Sequence, residues 1–131
     1  MIENVARVLA SEEDVAYALI FGSTARGRGR PGSDIDVALG LRAGASRDAH
    51  ALGGLAARLE SASGRRIDLV LLDEAPPGLS YRVFRDGTVI LDRDHRALVT
   101  RKARAILEYL DFKPIEDRCA AGVLRAAARG R

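Results

Sequence analysis

The sequence predicts a small α/β or α+β domain, a short mixed sheet of about four strands flanked by helices, with a helical C-terminus. Three observations predict it. Short β-branched or apolar runs at Val15–Phe21, Asp34–Leu41, Ile67–Leu72 and Thr88–Leu91 read as strands. Between and after them lie stretches with apolar residues at helical spacing. The 131 residues, 47% hydrophobic and 30% charged, suit one folded domain with a real core rather than a disordered chain.

The elements follow in order. Ile2, Val5, Ala6, Leu9 and Ala10 keep helical spacing over residues 2–10. Val15–Phe21 is a buried strand closed by Gly22, and Ser23 to Arg28 has room for one helical turn before Gly29, Pro31 and Gly32 break it. In the next strand, Ile35, Val37 and Leu39 face one side, and Asp34, Asp36 and Ala38 the other. A helix from an N-cap at Ser46 to about Ser63 carries the stripe Leu52, Leu55, Ala56 and Leu59 and stops at Gly64. Pro76-Pro77-Gly78 is a turn leading to a short helical segment ending near Phe84. Asp86-Gly87 then introduces a short edge strand. From His95 the chain is helical, with Val99, Ala103, Ile106, Leu107 and Leu110 as its apolar face and a kink or restart at Pro114. The expected organisation is a single domain over 1–131, with a core at about 15–92 and C-terminal helices at about 93–129.

Composition narrows the function. No apolar run approaches the length of a membrane-spanning helix, and the N-terminus lacks the basic and apolar regions of a signal peptide. The single Cys119 excludes an internal disulfide, so a reducing, cytoplasmic setting is the expectation. The net charge of +3 is uneven: from Asp92 onward ten Lys/Arg stand against six Asp/Glu. A solvated helical face accounts for that excess more simply than a polyanion surface, and only six Phe/Tyr are available for stacking on bases. Nucleic-acid binding is left open on weak support.

The chemistry concentrates in Ile20–Leu39, IFGSTARGRGRPGSDIDVAL. Asp34 and Asp36, two apart on a strand, put both carboxylates on one face, where they repel each other until a cation neutralises them. Oxygen-only ligation suits Mg2+, with Mn2+ as the substitute, and such ions share their remaining sites with water and substrate phosphates. Gly22 permits a tight turn close to a phosphate, and Ser23 offers a hydroxyl and an N–H at a helix start. A phosphate turn followed by a metal-binding pair fits phosphoryl or nucleotidyl transfer, in which positioning and charge neutralisation dominate. Asp68, at the start of the third strand, is the candidate third carboxylate. It serves as general base or ligand to a second metal if its strand lies beside Asp34–Leu41, and otherwise as an ion-pair partner of Arg65 or Arg66. Arg26, Arg28 and Arg30 in the loop suit phosphate binding, solubility or partner contact equally.

Gly22-Ser23, ten intervening residues and Asp34-x-Asp36 together resemble the signature of the DNA polymerase β-type nucleotidyltransferase superfamily. The small size, the Ser33-Asp-Ile-Asp-Val run, the Ile67-Asp68-Leu69-Val70 strand and Tyr109-Leu-Asp-Phe-Lys-Pro resemble, over about residues 15–115, the minimal nucleotidyltransferase (MNT) antitoxins. Those are partners of HEPN-domain ribonuclease toxins. The resemblance implies a nucleotidyltransferase fold and an enzyme that transfers AMP from ATP, with two Mg2+ ions, to a tyrosine of the toxin. Gly22, Ser23, Arg26 and Ser33 would hold the nucleotide, Asp34, Asp36 and Asp68 would hold metal, and Asp68 would act as base. Two other readings stand beside it: transfer to a small molecule or an RNA end, and an antitoxin that neutralises by binding without catalysis.

Overall fold

The computed structural model describes residues 2–22 and 33–129. Their order is α1 (Ile2–Ser11), β1 (Val15–Phe21), β2 (Ile35–Leu41), α2 (Ala49–Ser63), β3 (Ile67–Leu71), α3 (Pro77–Asp86), β4 (Thr88–Asp92) and α4 (His95–Arg129). The strands form one sheet in the order β3-β2-β1-β4. The β1 strand lies antiparallel to both β2 and β4, while β3 runs parallel to β2, its connection crossing over through α2. The short mixed sheet with flanking helices is therefore the observed architecture, and β4 is an edge strand as its brevity and flanking Gly87 imply.

Side-chain alternation sorts the core into two layers. Val15, Ala18, Ile20, Ile35, Val37 and Leu39 face α1 and α2, meeting Val5, Leu9, Leu55 and Leu59. Ala16, Tyr17, Leu19 and Ala38 face the other way and pack with Val83 of α3 and Leu98 of α4. A register shift between Val15 and Tyr17 puts the adjacent Ala16 and Tyr17 into the same layer, which strict alternation forbids. The α1 helix ends on Arg93, whose Nη1 donates to the carbonyls of Glu12 at 2.6 Å and Val15 at 2.7 Å and whose Nη2 donates to that of Ala10. One side chain from far along the sequence thus satisfies the Ala10 carbonyl in the last turn of α1 and ties the connection into β1 to the start of α4.

Three expectations are corrected. The N-cap of α2 is Asp48, not Ser46: its Oδ1 accepts the Ala51 N–H at 2.7 Å, while the Ser46 hydroxyl donates to its Oδ2 at 2.9 Å. A carboxylate is the stronger acceptor for an orphan helix N–H, and Ser46 supports it. The C-terminal segment is one helix of 35 residues that runs through Pro114 rather than restarting there. The proline sits where α4 has left the domain surface, so water can satisfy the carbonyl it strands. Third, Val99, Ile106, Leu107 and Leu110 are exposed, and α4 buries Leu98, Arg101 and Ala105 instead. Among the described residues no helix is long and apolar enough to cross a membrane.

Candidate functional site

Strand order builds the site. Pairing β1 against β2 sets Phe21 opposite Asp36, so Gly22 sits directly beside that carboxylate. Gly22 has φ 77°, the left-handed region, and a Cβ there would fall on the Asp36 carboxylate. The glycine is required twice, for its backbone angle and for its missing side chain.

The parallel pairing of β2 and β3 sets Asp36 opposite Asp68 in register. Asp68 therefore lies beside the pair, as the base or ligand reading requires. The Asp36 carboxyl is held above the usual carboxylate range, first by partial burial, then by the charges of Asp68 and Asp34, and by a hydrogen bond with Asp68. Asp34 and Asp68 are exposed and Asp36 is half-buried. Among the described residues no three His, Cys, Asp or Glu side chains converge tightly enough to form a metal cage by themselves. What the structure presents is a like-charged carboxylate pair with a third acid nearby, on the edge of solvent.

Arg65 fixes the entry to β2. Its Nε donates to the Ser33 carbonyl at 2.8 Å, and the Ile35 N–H donates to the Arg66 carbonyl at 2.8 Å. The arginine thus anchors the end of the signature loop to the start of the Asp68 strand. A cavity of about 190 Å³ adjoins the turn, lined by Phe21, Gly22, Leu79, Arg82, Arg85 and Asp86. Arg85 is committed to Asp86 at 2.9 Å and lies 5.8 Å over the Tyr81 ring, so Arg82 is the more available cation. From the sequence, Arg65 stands only as an ion-pair partner of Asp68, not as the anchor of Ser33, and neither Arg82 nor Arg85 is named. The Arg65-Arg66 pair immediately before Ile67-Asp68, and the helical i, i+3 spacing of Arg82 and Arg85, were the available signals.

Of the residues named from the sequence, Gly22, Ser33, Asp34, Asp36 and Asp68 are brought to one end of the sheet. Ser23, Arg26, Arg28 and Arg30 lie outside the described residues. Elsewhere, Asp94 caps α4 by accepting the Ala97 N–H at 3.1 Å, and Asp92 engages His95 Nδ1 at 2.6 Å. Tyr109 stacks on Tyr81 with ring centroids 4.1 Å apart, which fastens α4 to α3.

The fold has known counterparts. A chain from a toxin–antitoxin crystal structure with AMP-PNP superposes with TM-score 0.81 at 22% identity, covering 94% of this chain and 98% of that one. A chain from the structure of a tri-AMPylated Shewanella oneidensis HEPN toxin in complex with MNT antitoxin gives TM-score 0.74 at 20% identity, covering 95% and 99%. A structure described as a minimal nucleotidyltransferase is 30% identical, with TM-score 0.56, over 66% of this chain and 86% of its own. A search of curated proteins returned no significant match. The family model "Polymerase beta, Nucleotidyltransferase" matches residues 3–96, the span that carries the turn, the carboxylates and the whole sheet, and the chain belongs to that nucleotidyltransferase family.

Proposed function

We propose that this chain is an antitoxin that transfers AMP from ATP to a tyrosine of a cognate HEPN ribonuclease toxin in the cytoplasm. The observation that carries the reading is the convergence of Gly22, Asp34, Asp36 and Asp68 at one end of the sheet, with Asp36 loaded by its acidic neighbours. Toxin–antitoxin structures among the likenesses, one with AMP-PNP and one with an AMPylated toxin, support the choice of nucleotide and acceptor.

The donor set fits Mg2+: hard oxygen ligands, a repelling pair that a cation relieves, and too few protein ligands for a closed cage. Mg2+ ordinarily keeps waters and shares its sphere with substrate phosphates. Asp34 and Asp36 would hold it, with Asp68 close enough to join a second ion, and the metal would neutralise charge on the triphosphate. The Gly22 turn lets the triphosphate approach the backbone, and Ser23, Arg26 and Ser33 complete the nucleotide contacts. Asp68 accepts the proton of the tyrosine hydroxyl as its oxygen attacks the α-phosphorus. A phosphorus–oxygen bond to the toxin forms, the bond to the β-phosphate bridging oxygen breaks, and pyrophosphate leaves.

The test is direct. Incubate the chain with ATP, Mg2+ and the HEPN protein encoded beside it, then weigh both by mass spectrometry. One or more AMP increments on the toxin are expected, falling by about 1000-fold in rate for Asp36→Ala. A toxin fully neutralised and unmodified, by wild type and Asp36→Ala alike, would leave binding alone as the mechanism.

A further inference from the structure

The other end of the sheet holds a second candidate site. A cavity of about 330 Å³ opens between Tyr17 of β1 and the first turns of α4, where Arg96, Thr100, Arg101 and Arg104 line it. Two carboxylates, Asp73 and Asp94, also line it, but both are engaged. Arg47 holds Asp73 at 3.0 Å, and Asp94 caps α4.

Arg101 is the unusual member. Its side chain is only 10% exposed, and one Nη donates to Glu108 at 2.8 Å. Its Nε is buried without any hydrogen-bond partner among the described residues. An unmet N–H on a buried cation is costly, and Arg101 also lines the cavity, so an anion bound there meets a guanidinium whose donors and charge are not fully compensated. Neither Arg96 nor Arg104 forms an ion pair with another described residue. The Tyr17 hydroxyl stays protonated, because burial and then the Asp73 charge push its pKa up to about 12. The groups left uncommitted around the cavity are therefore donors and cations. Guanidinium groups suit planar, paired recognition of phosphate oxygens, and the volume lies at the small end of ligand sites.

We propose that this cavity is an anion site separate from the catalytic carboxylates, binding a small phosphate dianion through Arg101, Arg104 and Tyr17. The dianion is either free phosphate or the terminal group of a phosphomonoester. From Asp36 to Leu41 the strand spans about 17 Å at ~3.3 Å per residue, so one such ligand does not bridge both ends.

The test titrates inorganic phosphate, and separately AMP, into the Mg2+-free 15N-labelled full chain at constant ionic strength. Saturable amide shifts are expected at Ala97, Thr100 and Arg101, with Kd weakened at least tenfold in Arg104→Ala and several-fold in Tyr17→Phe. Arg104 is exposed, so its replacement tests binding without disturbing the core. Saturation with phosphate identifies the free anion, and saturation with AMP alone identifies a phosphomonoester. Shifts confined to Gly22 and Asp36, no saturation in either arm, or binding unchanged in Arg104→Ala would overturn the proposal.

Discussion

The two ends of the sheet are made by the same strands and face the same helical layer, yet their charges are opposite. Where β1 ends and β2 begins, Asp36 lies against Gly22 with Asp68 and Asp34 as its charged neighbours. Where β2 ends, the Tyr17 ring lies across Gly40 and arginines of α4 surround a cavity. Both ends depend on a glycine that leaves space for a functional neighbour: the Asp36 carboxylate at Gly22, the Tyr17 ring at Gly40. The difference lies in what each end does with its polar groups. At the acidic end the carboxylates are half-buried or exposed, so a hydrated cation and a triphosphate can reach them. At the basic end Arg101 is nearly enclosed and its Nε has no partner among the described residues.

Substitutions at each end can break that comparison. After the loss expected for Asp36→Ala, the next largest effect is expected at Gly22→Ala, which forces a side chain onto Asp36 at a positive φ. Nucleotide transfer should fall by more than about 100-fold, the cost of misplacing a catalytic group by an ångström, as read by initial rates of AMP incorporation. At the other end, Gly40→Ala drives a methyl into the Tyr17 ring and should cost about 1–3 kcal/mol in urea unfolding. The penalty of that change should shrink in a Tyr17→Ala background, since the ring it strikes is gone.

Asp36→Asn is expected to act oppositely on stability and on catalysis. Its folded carboxyl sits above the ordinary 3.8, so the stability it contributes is complete below that value and is lost as pH rises through the raised one. At pH 7 without metal the Asn variant should therefore melt about 2 °C higher than wild type while losing transfer activity, and the gain should vanish in acid. The smallest effect is alkaline. Tyr17 contributes stability that is intact below pH 10.0 and lost as pH rises through about 12, so Tyr17→Phe should flatten the fall in melting temperature over that window.

How far the sequence could be read depended on how local the cause was. Strand β2 was legible because its large apolar residues all stand on one side, alternating with Asp36, Ala38 and Gly40, and the side assigned to Ile35, Val37 and Leu39 is the one that meets α1 and α2. The α2 cap was misassigned by two residues, since Ser46 and Asp48 are both good caps and only the backbone geometry selects between them. The inward face of α4 was misjudged for a physical reason. Val99, Ile106, Leu107 and Leu110 make the more hydrophobic stripe, but Leu98, Arg101 and Ala105 are the residues turned to the sheet and α3. No periodicity argument selects a stripe with an arginine at its centre. Local sequence pairs Arg65 with Asp68 and does not reveal its bond to the Ser33 carbonyl, because that partner is 32 residues away.

The sequence by itself determined the glycine at the end of β1, the alternation that turns Ile35, Val37 and Leu39 to one side of β2, and the type of each strand, because these follow from backbone sterics and a period of two. It also carried the family signature. Tertiary structure decided the rest: that β3 runs parallel to β2 and sets Asp68 opposite Asp36, that Tyr17 meets Gly40, and that Arg101 is buried against an open cavity. Strand neighbours and buried cations are settled by which faces pack together over long sequence separations, and no local window contains that information.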